Sequence, residues 1–239
     1  MAARNRIGFA VKVVGREGLK SHDTRRWQSQ PHLRVSLEYL DRIFDYLDDT
    51  GIRMYRMASD LAPYVTKLDL PEQHHQIEEA SAELNALGER ARALDLRLSL
   101  HPSQYIVLNT PEERVLDTAV RTLESHAAIL DGMGLGPEHK IITHVGGLYG
   151  DRETALARFA ERYESLGEPV RRRLIVENDD RLFPVEDVLQ LHEMIRIPVV
   201  FDWLHHVALN PSRIAPEEAA RLALATWPEG QKPKIHFSS

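Results

Sequence analysis

The sequence predicts an α/β fold of the TIM (β/α)8 type, and three observations carry the prediction. Short apolar, β-rich runs alternate along the whole chain with longer stretches of 3.6-residue apolar spacing, the pattern of successive βαβ units around a parallel sheet. With 239 residues and 43% hydrophobic content the chain can bury a full core as one domain, 1–239. Several of the strand-like runs end in, or run directly into, a histidine or an acid, and the carboxyl ends of parallel strands are where such folds display their chemistry.

Strands are expected at 7–13, 53–57, 97–100, 140–143, 174–176, 198–201 and 234–237, and helices at 35–47, 76–93, 112–133, 152–166, 185–195 and 216–225. Helix starts are marked by Pro71-Glu72, Pro111-Glu112, Pro184 two residues before Glu186, and Pro216-Glu217. Proline presets φ for the first turn, and an acid there complements the helix dipole. Seven strands are one short of a closed barrel, so either one strand escapes the pattern or the last βα unit is absent, and the second case would leave the first and seventh strands as edges open to association. The segment 15–32 reads as the only long connection outside helix and strand.

Composition excludes several classes. With no cysteine there is neither a disulfide framework nor a thiolate metal site, so any metal must be held by nitrogen and oxygen ligands. The start, MAARNRIGFAVKVVG, lacks the apolar stretch of a signal peptide, and no run approaches the length of a membrane span, so a cytoplasmic, membrane-free protein is expected. The net charge is −6, yet residues 1–34 carry a local balance of +6 from eight Lys and Arg against Glu17 and Asp23. Backbone contact with nucleic acid follows local field rather than overall charge, so this basic segment is either a phosphate-contacting surface or a solvated loop.

The candidate site residues are those at the strand ends: His101 in LRLSLHPSQY, His144 in KIITHVGG, Glu177 in RLIVENDD, Asp202 and His205 in VVFDWLHH, and His236 in KPKIHFSS. Singly, each of these histidines is better read as a core histidine satisfied by its neighbours. Recurrence at equivalent ends favours one shared polar cavity, and imidazoles mixed with carboxylates have the composition of a polynuclear metal site. In Asp202-x-x-His205 both side chains can face that cavity. Lys234 and His236 are two apart on a strand and share a face; Lys234 is then a phosphate-contacting charge, a metal-proximal amine open to carboxylation, or a surface lysine. His22, His32, His74, His75, His126, His139 and His192 fall in loops or helices and are read as solvated or locally bonded.

The stretches RIGFAVKV, GLKSHDTRRWQ, IRMYRMASDLAPY, LSLHPSQYIVLN, ITHVGGLYGD, VENDDRLF, VVFDWLHH, NPSR, ATWP and KPKIHFSS together resemble the bacterial UV damage endonuclease (UVDE) family, across essentially the whole chain. The resemblance implies a TIM barrel, distantly related in fold to the endonuclease IV group, that uses divalent ions to nick duplex DNA immediately 5′ of UV photoproducts. It assigns His101, His144 and Glu177 to one metal, with Glu177 bridging to a second completed by Asp202 and His236, and His205 to a third. Glu177 and Lys234 become the catalytic residues. Gln104 and Tyr105 match the family's lesion probe, and Phe9, Lys12, Lys20, Arg25 and Arg26 fall in its DNA-contacting segments. The implied cofactors are divalent ions, Mn²⁺ first and Zn²⁺ second. The implied partner is UV-damaged double-stranded DNA, with no obligate protein partner. The family's chains continue past KIHFSS with a further histidine and glutamate ligand, so this chain reads as a shortened form holding fewer than three ions. Two other readings remain: a lesion-binding module without cleavage, and a metal-dependent sugar isomerase on the same barrel.

Overall fold

In the computed structural model, which describes residues 5–237, the chain forms two compact units. The first contains the described residues up to His101 together with Glu124–His139; the second contains Pro102–Leu123 and the described residues from Lys140 onward. Arg4, the first cation of the basic segment, lies outside the described residues.

In the first unit β1 (Gly8–Ala10), β2 (Met54–Arg56) and β3 (Arg97–Leu100) pair in parallel and in chain order. Gly8 faces Met54 so closely that a Cβ would meet the Met54 carbonyl oxygen at 2.0 Å, so the register needs glycine there. Between β1 and β2 runs α1 (Leu33–Thr50), which buries Leu33, Leu37, Leu40, Phe44 and Leu47 at helical spacing. His32 caps it, its side chain accepting from the Arg34 amide. The helix expected at 76–93 is two helices, α2 (Gln76–Glu79) and α3 (Ser81–Ala93), broken at Ala80. Gln76 is held by tertiary bonds, accepting from the Leu33 amide at 2.7 Å and donating to the Pro63 carbonyl at 2.6 Å. These bonds tie α2 to the start of α1 and to the preceding loop. That loop corrects a second expectation: 57–75 is as long a connection as 15–32, interrupted only by a 3-10 turn at Pro71–Gln73.

Helix α4 (Glu113–Gly132) contributes its first part to the second unit and the remainder to the first. The second unit carries β4 (Lys140–Thr143), then α5 (Arg152–Ser165) and the short α6 (Glu168–Arg171), β5 (Leu174–Glu177), α7 (Val185–Ile195), β6 (Val199–Asp202), α8 (Trp203–Ala208), α9 (Pro216–Ala225) and β7 (Ile235–His236). Its strands pair in parallel as β4·β5, β5·β6 and β6·β7. Every residue of β4, β5 and β6 is buried, as expected for parallel strands covered on both faces. Ile142, Ile175, Val200 and Trp227 form a core cluster. Just past α9, the Trp227 indole donates to the Val199 carbonyl at 2.7 Å and the Thr226 hydroxyl accepts from the Val199 amide at 2.8 Å, satisfying the first residue of β6.

The seven strands found among the described residues are the seven expected. The last is shorter than predicted, and Lys234 precedes β7 instead of lying in it, although it is still only 6% exposed. Helices α6 and α8 were not expected; each spans too few residues to show a period.

Candidate metal centre

The strand ends of the second unit bring four of the expected ligands together. Glu177 ends β5 and Asp202 ends β6, each 2% exposed. His236 ends β7, and the β6·β7 register sets it opposite Asp202. Glu177, Asp202 and His236 each offer a ligand atom within 4.8 Å of the others. His236 Nδ1 lies 2.5 Å from Glu177 Oε1, and on the other side His144 Nε2 lies 3.8 Å from Glu177 Oε2. One buried carboxylate therefore has an imidazole against each of its oxygens.

His144 directly follows β4, in a loop whose path is fixed by Asn109. The Asn109 side chain donates to the Gly147 carbonyl at 2.7 Å and accepts from the Gly147 amide at 3.3 Å. Gly146 beside it has φ +117°, and a Cβ there would meet Asn109 Oδ1 at 2.3 Å, so the tight loop requires glycine.

Asp202 also caps α8, its Oδ1 accepting from the His205 amide at 3.0 Å. The capped first turn carries the imidazole back toward the site: the His205 ring lies 5.6 Å from that of His144, and its Nδ1 lies 4.0 Å from Asp202 Oδ1.

The donor set fits a divalent cation. Two carboxylates buried to 2% lie with imidazoles in one small group, and imidazole with carboxylate is the ligand chemistry of Mn²⁺ and Zn²⁺ sites. Lys234, one residue before β7, is buried beside the strand that carries His236.

The remaining expected residues fall as follows. His101, half-buried, directly follows β3 in the first unit, as His144 follows β4 in the second. Gln104 and Tyr105 stand in an exposed turn, the Tyr105 side chain 75% exposed. Phe9 is half-buried, its ring packed edge-on to Tyr46 and Tyr55. Lys12 and Arg26 are exposed, and Lys20 sits over the Tyr39 ring at 5.4 Å. Arg25 grips Asp23 with Nε at 2.8 Å from Oδ1 and Nη2 at 2.6 Å from Oδ2. The basic segment is thus anchored along α1 and not a free loop.

Of the histidines set aside, His32 caps α1 and pairs with Glu79, and His139 accepts from the Leu98 amide at 3.0 Å. His126 is buried with Nε2 2.9 Å from the Ser59 carbonyl, and burial lowers its pKa to about 4. Asn109 and Asn178 had not been expected at the site; their only local signal is a polar residue just beyond an apolar run.

The fold and the site together define a TIM-type α/β protein with a His, Glu and Asp group at its strand ends that could hold a metal ion. The chain belongs to the UV-endonuclease UvdE family, whose pattern it matches over residues 21–239. It is 31% identical over 213 residues to a UV DNA damage endonuclease of Clostridium perfringens, covering 86% of this chain and 50% of that protein. To that of Halalkalibacterium halodurans it is 35% identical over 224 residues, covering 93% and 69%. The chain spans about half to two thirds of the length of the curated relatives it matches. The crystal structure of SacUVDE superposes with TM-score 0.88 at 30% identity, covering 99% of this chain and 81% of that one. A D-psicose 3-epimerase matches at TM-score 0.59 and 15% identity over 82% of this chain and 66% of that one, a likeness of fold alone. Among the described residues no helix is long and apolar enough to cross a membrane.

Proposed function

We propose that this chain is a metal-dependent DNA repair endonuclease that hydrolyses the phosphodiester immediately 5′ of UV photoproducts in duplex DNA, acting as one catalytic domain in the cytoplasm. The observation that carries the reading is the Glu177, Asp202 and His236 group in a chain of the UvdE family. Glu177, Asp202 and His236 would hold one ion, His144 would share Glu177 in holding another, and His205 would serve a third. Mn²⁺ or Zn²⁺ suits this set. When bound, such ions supply a nucleophilic hydroxide at neutral pH and neutralise the charge that builds on the phosphate oxygens.

The chain's own residues do the rest. Glu177, buried between two imidazoles, would fix their spacing in a place that water screens least. Tyr105, exposed on its turn, offers a ring to the stacking space left by everted bases, and Gln104 offers an amide to their edges. Lys12, Lys20, Arg25 and Arg26 would take phosphates of the flanking duplex. Lys234 would add positive charge near the scissile phosphate.

The test is incubation of the pure chain with Mn²⁺ and an end-labelled, UV-irradiated duplex. A single nick 5′ of the photoproduct is expected. Binding of the irradiated duplex without any nick would instead favour a lesion-binding module. Turnover of a ketose with no effect on DNA would favour a sugar isomerase.

A further inference from the structure

We propose that Asn178 is the positioning residue of the candidate centre, fixing Asp202 in place and setting His205 in the tautomer that ligates through Nε2. The proposal rests on the metal-site reading above and goes beyond it, since it assigns a role to a residue outside the ligand set.

Asn178 follows Glu177 at the end of β5 and is fully buried. Its side chain faces the backbone of Asp202, 24 residues away, and engages both peptide groups of that residue: Oδ1 accepts from the Asp202 amide at 2.8 Å, and Nδ2 donates to the Asp202 carbonyl at 3.1 Å. The β5·β6 ladder runs to Glu177↔Val200, so this amide continues the pairing with a side chain where β6 gives way to α8. Only asparagine among residues of this size presents one acceptor and one donor in that fixed order.

The second arm of the clamp is the Asn178 backbone. His205 Nδ1 lies 2.9 Å from the Asn178 carbonyl oxygen. A carbonyl only accepts, so Nδ1 carries the hydrogen, and in the neutral ring Nε2 then keeps its lone pair. The carboxylate oxygen nearest to Nδ1, Asp202 Oδ1, is 4.0 Å away, beyond hydrogen-bond reach, and is already engaged by the His205 amide. Residues 178, 202 and 205 therefore close a ring of four hydrogen bonds. Loosening the Asn178 amide frees Asp202, the cap of α8 and the orientation of His205 together. Orienting bonds of this kind typically change metal affinity by roughly 10–100-fold.

The test uses the full chain, metal-free and ¹⁵N-labelled, in long-range ¹H–¹⁵N imidazole spectra, with His205 assigned by its loss in His205→Gln. The expected result at neutral pH is a pyrrole-type Nδ1 and a pyridine-type Nε2. In Asn178→Ala and Asn178→Asp the His205 signals should move toward a tautomer mixture, and Zn²⁺ affinity by chelator competition should fall roughly 10–100-fold. Asn178→Asp is the sharper variant, because it keeps the acceptor for the Asp202 amide and sets an oxygen against the Asp202 carbonyl. A wild-type His205 protonated on Nε2 overturns the proposal even if neither variant folds. So do folded variants with unchanged tautomer and Zn²⁺ affinity. Both readouts omit DNA, so a failure to nick would remove the nuclease reading and leave this one standing, and the reverse.

Discussion

Glu177 and His236, 59 residues apart in sequence, meet with Oε1 and Nδ1 2.5 Å apart, and the opposite oxygen of the same carboxylate faces His144. A carboxylate placed in this way serves two imidazoles at once. Glu177→Gln keeps the shape and removes the charge, so metal content measured by elemental analysis should fall at more than one site together, with affinity down more than about tenfold. Loss of a single ion with full retention of the rest would separate Glu177 from the shared role.

Tyr105 exposes most of its side chain, so its truncation should leave stability and metal content unchanged. Tyr105→Ala should reduce the preference for UV-irradiated over intact duplex by about 1–3 kcal/mol if the ring stacks at the lesion. Paired binding titrations measure this, and an unchanged ratio would remove Tyr105 from the lesion contact.

Legibility of the chain depended on how local each signal was. The bounds of β3, β4, α7 and α9 match their expected ranges because apolar runs, prolines and first-turn acids are local. The break at Ala80 has no glycine or proline to announce it; Gln76 is held instead by partners 43 and 13 residues away. Helix α8 escaped notice because its six residues follow Asp202, which is expected as a ligand and also serves as the N-cap. The closeness of His144, Glu177, Asp202 and His236 was legible because chain order puts them at the same end of successive strands. Asn178 was not, since its bonds reach residues 24 and 27 positions on.

The basic segment should divide into two kinds of cation. Lys12 and Arg26 are exposed, and neutralising either should weaken binding of damaged and intact DNA alike, lowering the salt slope by about 1 for each phosphate no longer paired with a cation. Arg25 grips Asp23, which is 3% exposed and also accepts from the His32 and Arg25 amides. Arg25→Ala should therefore destabilise the fold as well as weaken binding. Thermal melts beside filter-binding titrations distinguish the two outcomes. Burial works to raise the Asp23 pKa, but the Arg25 bond and the two amides hold it below the ordinary value. A depressed carboxylate stabilises the fold above its unfolded pKa and loses that contribution as pH falls through the lower folded value. The Asp23 contribution should therefore fade only below about pH 4.

His126 sets a dependence of the same sign in milder acid. It is 1% exposed, its Nε2 is against the Ser59 carbonyl, its Nδ1 has no hydrogen-bond partner among the described residues, and desolvation lowers its pKa from 6.5 to about 4 despite the nearby Asp60. Between those values the unfolded chain binds a proton that the folded chain refuses, so stability rises with pH across the window and is lost as pH falls from about 6.5 toward 4. At about pH 5.5, roughly one unit below the unfolded value, the loss from this residue is about 1 kcal/mol. Urea melts of the wild type at about pH 7.5 and about pH 5.5 should show that decline, and His126→Gln should flatten it, since glutamine can donate to the Ser59 carbonyl without titrating. Equal pH dependence in the two proteins would show that His126 takes up its proton without unfolding.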